Sequence, residues 1–185
     1  MVIVQELSKS LPFEYAAGPL IHLGSVLENR DVPSELPGQD KYEIRIHARD
    51  NYRTVFSTLQ LVSASNKDSP GHVEAFVSKC FRQLDRGIAV AIVDIVTEPS
   101  ADLFGELWRR LGKPRPHADR EASQIFAAVF RPVRADGDVK VDYWDFPLAI
   151  GKPLPTIPVW LQDDAAILLD LERTYEETCR VLRID

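Results

Sequence analysis

The run IAVAIVDIV, residues 88–96, carries one carboxylate, Asp94, among eight apolar residues. An acid placed there must be paired or protonated, because an isolated buried charge is costly. The polar loop ASNKDSPG, residues 64–71, supplies a lysine, Lys67. Asp94 paired with Lys67, or with an arginine, makes either a structural ion pair or part of a site with perturbed titration. A second group of polar side chains lies in YEIRIHAR, residues 42–49. Its alternation puts Tyr42, Ile44, Ile46 and Ala48 on one face and Glu43, Arg45, His47 and Arg49 on the other, as in a half-exposed strand. On that reading Glu43 lies on the exposed side. Arg82, Arg86, Arg109, Arg110, Lys113, Arg115 and Arg120 make the middle of the chain basic, and the reading favoured for them is a solvated helix face and loop.

Other chemistries find less support. His22, His47, His72 and His117 show no metal-ligand spacing, and there is no glycine-rich phosphate loop or Gly-x-Ser-x-Gly elbow. Cys80 and Cys179 stand 99 positions apart, so they form neither a disulfide framework nor a zinc motif and read as buried thiols.

The elements that position these groups follow from periodicity. Residues 42–49 and TVFSTLQLVS, residues 54–63, read as antiparallel strands joined at Asp50-Asn51. Ser69 suits a helix cap with Pro70 at the first helical position. Val73, Phe76, Val77, Cys80, Phe81 and Leu84 then form one apolar stripe, and Gly87 ends the helix. The apolar run at 88–96 suits a strand covered on both faces. Residues 101–112 read as a short helix. SQIFAAVFRPV and VKVDYWDFPL read as a hairpin across Asp136-Gly137. KPLPTIPVWL is too rich in proline for a central strand. A last helix, capped by Asp163 or Asp164, carries Ile167, Leu168, Leu171, Tyr175 and Cys179 at helical spacing. The first 40 residues are irregular, with a short strand at Leu20, Ile21, Leu23 and Val26 and a loop at Pro33 and Pro37.

The order predicts one α/β domain spanning residues 1–185: an irregular part at 1–40, a β-β-α-β core at 42–96, and helices with a hairpin at 97–185. The helix between strands 54–63 and 88–96 implies a parallel crossover and a mixed sheet flanked by helices.

The run LQLVSASNKDSPGHVEAFVSKCFRQLDRGIAVAIVDIV, together with KPLPTIPVWL and DLERTYEETCRVLRID, resembles an uncharacterised bacterial family known only as a domain of unknown function. Its members typically carry a Glu-x-Leu-Ser-Pro-x-Asn-Lys segment. The resemblance covers residues 42–185 in order. The first segment is also similar to the Uma-two-like endonucleases, which resemble the restriction-endonuclease fold with its Pro-Asp … Asp/Glu-x-Lys motif.

The resemblance implies a restriction-endonuclease-like core. It also implies a site in which acids on adjacent strands hold Mg²⁺ and a lysine steadies charge on a phosphate. Carried onto this chain, Glu43 takes the first acid position and Gln60 the second, which makes these two the candidate metal ligands. Gln60 is neutral. Val62 stands where the lysine of the motif belongs, and Ala64 replaces the usual proline. Ser63, Asn66 and Lys67 match the family loop. The candidate catalytic set is therefore Glu43, Gln60, Lys67 and Asp94, with a structural role favoured for it as a whole. The implied function is a binding or interaction role on a nuclease-like fold with a degraded metal site. An active Mg²⁺-dependent nuclease and an assembly protein without a functional cleft are the alternatives. No cofactor is expected, except Mg²⁺ in the nuclease case.

Composition bounds these readings. With 45% hydrophobic and 27% charged residues the chain is too apolar to be disordered throughout. Its net charge of −6 disfavours non-specific nucleic-acid binding, though a local basic groove is compatible with it. No apolar segment approaches the ~20 residues of a membrane helix, and the N-terminus lacks the basic start of a signal peptide. The expected location is the cytoplasm. Trp108, Trp144 and Trp160 read as core or subunit-contact residues. Tyr143 and Trp144 on an exposed edge would favour a homodimer.

Overall fold

The computed structural model describes residues 1–20, 42–98, 100–116, 125–135, 138–162 and 164–184. Four helices and eight strands are present among them: α1 (Val2–Ser10), β1 (Tyr15–Leu20), β2 (Tyr42–Ala48), β3 (Val55–Leu61), α2 (Pro70–Asp85), β4 (Ala89–Asp94), α3 (Leu103–Arg110), β5 (Phe126–Ala135), β6 (Asp138–Pro147), β7 (Thr156–Trp160), β8 (Ala166–Asp170) and α4 (Leu171–Leu182).

Six strands form one sheet in the order β1-β2-β3-β4-β5-β6. All neighbours are antiparallel except β3 and β4, which run parallel and are linked through α2. This is the expected α/β architecture, a mixed sheet flanked by helices. The crossover is required because parallel neighbours cannot be joined by a hairpin.

Both faces of the sheet are covered. Val90, Ile92, Phe126, Ala128 and Phe130 pack beneath α2 and α3, against Phe76, Val77, Cys80, Leu84, Leu103, Phe104, Leu107 and Trp108. Ile44, Ile46, Leu59, Ala91, Val93, Ala127 and Val129 face the other way, toward Ile3 and Leu7 of α1 and toward Ile157, Val159 and Leu169 of the β7–β8 hairpin. Alternate residues of β4 thus enter opposite cores, and all six are buried. Its continuous apolar run follows from that.

Helix α2 is set by its ends. The Ser69 hydroxyl accepts a hydrogen bond from the His72 N–H at 3.3 Å, and Pro70 opens the first turn. Gly87 has φ +83°, a left-handed conformation that glycine adopts without a Cβ penalty, and it turns the chain into β4. Ser69→Ala should lower stability by about 1 kcal/mol, read as a shift in the urea midpoint at unchanged slope. An unchanged midpoint would show that the cap contributes nothing.

Several expectations are corrected. Residues 166–170 are strand β8, not the start of a helix; α4 begins at Leu171, and its cap is Asp170, whose side chain accepts from the Arg173 N–H at 2.9 Å. Asp164 lies before β8 and caps no helix. The N-terminal part holds a helix and a strand where irregular structure was expected, with the strand at Tyr15–Leu20. Cys80 is buried but Cys179 is only half-buried on the solvated α4. Tyr143 and Trp144 do lie on an edge strand, β6, and are half-buried; within the chain Tyr143 packs edge-on to Trp108 at 4.9 Å and Trp144 lies against Trp160 at 5.2 Å.

The expectations at Ile21, His22, Leu23, Val26, Pro33, Pro37, His117, Arg120, Asp136-Gly137 and Asp163 lie outside the described residues. Ala135 pairs with Asp138 at the end of the β5–β6 ladder. Among the described residues no helix is long and apolar enough to cross a membrane.

Candidate functional site

The sheet face beneath α2 changes character along its width. Under β4 and β5 it is apolar, but β2 and β3 present Glu43, Arg45, Thr58 and Gln60. The antiparallel register puts Glu43 opposite Gln60 and Arg45 opposite Thr58. Helix α2 lies along the boundary. Its apolar stripe, Phe76, Val77, Cys80 and Leu84, enters the core. A second stripe, Lys79, Arg82, Gln83 and Arg86 at i, i+3, i+4 and i+7, hangs over the polar half.

The two stripes meet in a hydrogen-bonded cluster. Gln60 Nε2 donates to Glu43 Oε2 at 3.0 Å, and Lys79 Nζ donates to Gln60 Oε1 at 2.7 Å. Lys79 Nζ also lies 3.5 Å from Glu43 Oε2, while Arg45 Nε donates to Glu43 Oε1 at 2.6 Å. Gln83 completes the cluster, donating to Glu43 Oε2 at 3.4 Å and accepting from the Thr58 hydroxyl at 3.0 Å. Glu43 is buried at 2% exposure, so its expected placement on an exposed face is overturned. Strand alternation tells which residues share a face, but α2 decides that this face is covered. Burial works to raise the Glu43 pKa. The Lys79 charge and the hydrogen bonds from Arg45 and Gln60 outweigh it, and the carboxyl is held below its ordinary range.

Lys67 and Asp94 form a separate pair. Lys67 Nζ donates to Asp94 Oδ2 at 3.0 Å and to the Val96 carbonyl at 2.8 Å. Asp94 Oδ1 accepts from the Val96 N–H at 3.0 Å. Both side chains are fully buried. The preceding turn aims the lysine inward, since Asn66 Oδ1 accepts from the Ser63 N–H at 2.9 Å and fixes the loop. Burial raises the Asp94 pKa, opposed by the Lys67 hydrogen bond, the Val96 N–H and the Lys67 charge, and the net shift is upward.

The four candidates therefore divide into two pairs, with no hydrogen bond or ion pair between the pairs among the described residues. Lys67 and Asp94 do not share the Glu43 cluster; they tie the loop before α2 to the end of β4. The lysine that does reach Glu43 and Gln60 is Lys79. The sequence carries a signal for it in the polar stripe of α2, where Lys79 stands at helical spacing with Arg82, Gln83 and Arg86.

The cluster forms one wall of a cleft of about 530 Å³, lined by Leu20, Glu43, Arg45, Arg53, Thr54, Val55, Thr58, Lys79, Arg82, Gln83, Arg86 and Ile88. Three further basic side chains of the middle segment are engaged elsewhere: Arg109 with Glu106, Arg110 with Glu74 at 2.9 Å, and Arg115 with Asp102 at 2.5 Å. Arg53, Arg82 and Arg86 make no ion pair among the described residues.

The donor set does not fit Mg²⁺. That ion takes carboxylate and water oxygens in an octahedron. Among the described residues Glu43 is the one carboxylate lining the cleft, and both its oxygens already accept from cationic or amide donors. Among the described residues no group of three or more His, Cys, Asp and Glu side chains is placed to hold a metal ion. Comparison with protein-family models, with curated proteins and with solved structures finds no match to this chain.

Proposed function

We propose that this chain is a binding module built on a restriction-endonuclease-like core whose metal site has been lost, and that its cleft between β2, β3 and α2 takes an anionic ligand without hydrolysing it. The order of antiparallel pair, crossover helix and parallel strand supports the core. The adjacency of Glu43 and Gln60 across β2 and β3 supports the derivation of the site. One observation carries the binding role. Among the described residues five basic side chains, Arg45, Arg53, Lys79, Arg82 and Arg86, line the cleft against a single carboxylate, Glu43. That carboxylate is already neutralised by Arg45 and Lys79, which leaves a positive field at the mouth despite the acidic chain.

Calorimetric titration tests this. Inorganic phosphate should bind the wild type and bind at least tenfold more weakly to Arg82→Gln/Arg86→Gln. Mg²⁺ and Mn²⁺ should give no saturable heat. Divalent-ion binding that vanishes in Glu43→Ala, with cleavage of a DNA substrate, would restore the nuclease reading. Failure of phosphate to bind the wild type would overturn the anion site.

A further inference from the structure

Resting on that reading, we infer that the ligand of the cleft is a small organic phosphate, a compact dianion with an apolar body, and not a nucleic-acid strand. The volume comes first. About 530 Å³ falls inside the roughly 300–1,000 Å³ typical of small-molecule sites. A strand needs an open channel with rings on which bases stack. Among the described residues no aromatic side chain lines this cleft; its apolar lining is aliphatic, with Val55 and Ile88 toward one end and Leu20, beside Glu43, toward the other.

The charge count comes second. Arg45 and Lys79 are committed to Glu43. Arg53, from the turn between β2 and β3, Arg82, from the last turn of α2, and Arg86, just past the end of α2, remain to meet the ligand. Guanidinium groups present paired N–H donors that match phosphate oxygens two at a time. A monoanionic carboxylate would leave most of that charge unmatched, whereas a phosphomonoester dianion engages it.

The third consideration is range. The chain carries a net charge of −6, which repels a long polyanion beyond the cleft. A small ligand feels mainly the local field, because distant charges are screened over about 8–10 Å at ordinary ionic strength.

Four probes titrated into the full chain test the inference: phenyl phosphate, inorganic phosphate, benzoate, and a ten-nucleotide single-stranded thymidine oligomer. Phenyl phosphate should bind at least tenfold more tightly than the other three and weaken at least tenfold in Arg82→Gln/Arg86→Gln. Those arginines are exposed, so the variant should melt with the wild type, and that is checked first. If it does not, Arg53→Gln, also on an exposed turn, gives the same readout. Tighter binding of the oligomer than of phenyl phosphate, lost in the variant, would overturn the small-ligand inference while leaving the anion cleft standing. Equal binding of phenyl phosphate and inorganic phosphate would overturn the role of the aliphatic lining, and the inference with it. No binding by any probe, or binding indifferent to the variants, would overturn both readings.

Discussion

Asp94→Ala should lower folding stability by about 3–5 kcal/mol, because it leaves the Lys67 ammonium buried with only the Val96 carbonyl as partner. The double change Lys67→Met/Asp94→Leu should cost much less, since no charge is then stranded. The reverse single change carries a pH signature. In Lys67→Met the influences that hold the Asp94 pKa down are reduced to the Val96 N–H, and burial raises it further than in the wild type. A folded-state pKa above the unfolded value of about 3.9 means stability present at low pH and lost as pH rises through the folded value. The Lys67→Met deficit should therefore be largest near neutrality and narrow as pH falls toward about 4. Urea melts across that range measure it. A deficit that stays flat would mean that water reaches Asp94 and solvates its charge once Lys67 is gone.

The sheet core was readable because its elements speak in one period at a time. Helix α2 shows a cap, a stripe and a terminal glycine, and β4 shows an apolar run interrupted only by Asp94. The C-terminal end was harder. AILLDL has no clear period over so few residues, and Ile167, Leu168 and Leu171 fit a helix as well as a strand. Pairing with β7 settles it: Ile157 opposes Leu169 and Val159 opposes Ile167, and the helix waits for Asp170. The N-terminal helix is hidden in the sequence for a related reason. Residues 2–10 have no side-chain cap and are too short to be stable alone. Val2, Ile3 and Leu7 are buried, and α1 lies against β1, β8 and α4; these tertiary contacts hold it.

The site was legible in pairs and not as a whole. The hairpin register that sets Glu43 against Gln60 follows from two antiparallel strands and a tight turn. The Lys67–Asp94 contact follows from the cost of a buried acid. Which lysine serves which acid depends on how α2 is rotated over the sheet, and its apolar stripe fixes that rotation. Once Phe76, Val77, Cys80 and Leu84 face β4, Lys79 and Gln83 must overhang β2 and β3. The burial of Glu43 is a consequence of that rotation and cannot be read from YEIRIHAR alone.

Glu43→Gln separates the two chemistries most sharply. If the cleft binds anions, removing the Glu43 carboxylate should strengthen phosphate binding, by about 1 kcal/mol or roughly fivefold for a unit charge acting across a partly solvated site. If Glu43 were a metal ligand, the same change would abolish divalent-ion binding and give no gain for phosphate. The stability cost should be about 1–2 kcal/mol, less than for Asp94→Ala, because Lys79 and Arg45 are 19% and 37% exposed and can turn to water. Its pH dependence runs opposite to that of Lys67→Met in sign. The Glu43 pKa is lowered on folding, so its contribution is complete above the unfolded value of about 4.3 and is lost as pH falls through the folded one. The gap between wild type and Glu43→Gln should close on acidification below about pH 4. Unchanged or weaker phosphate binding in Glu43→Gln would mean that the carboxylate positions Arg45 and Lys79 for the ligand, and that its negative charge is not what opposes the anion.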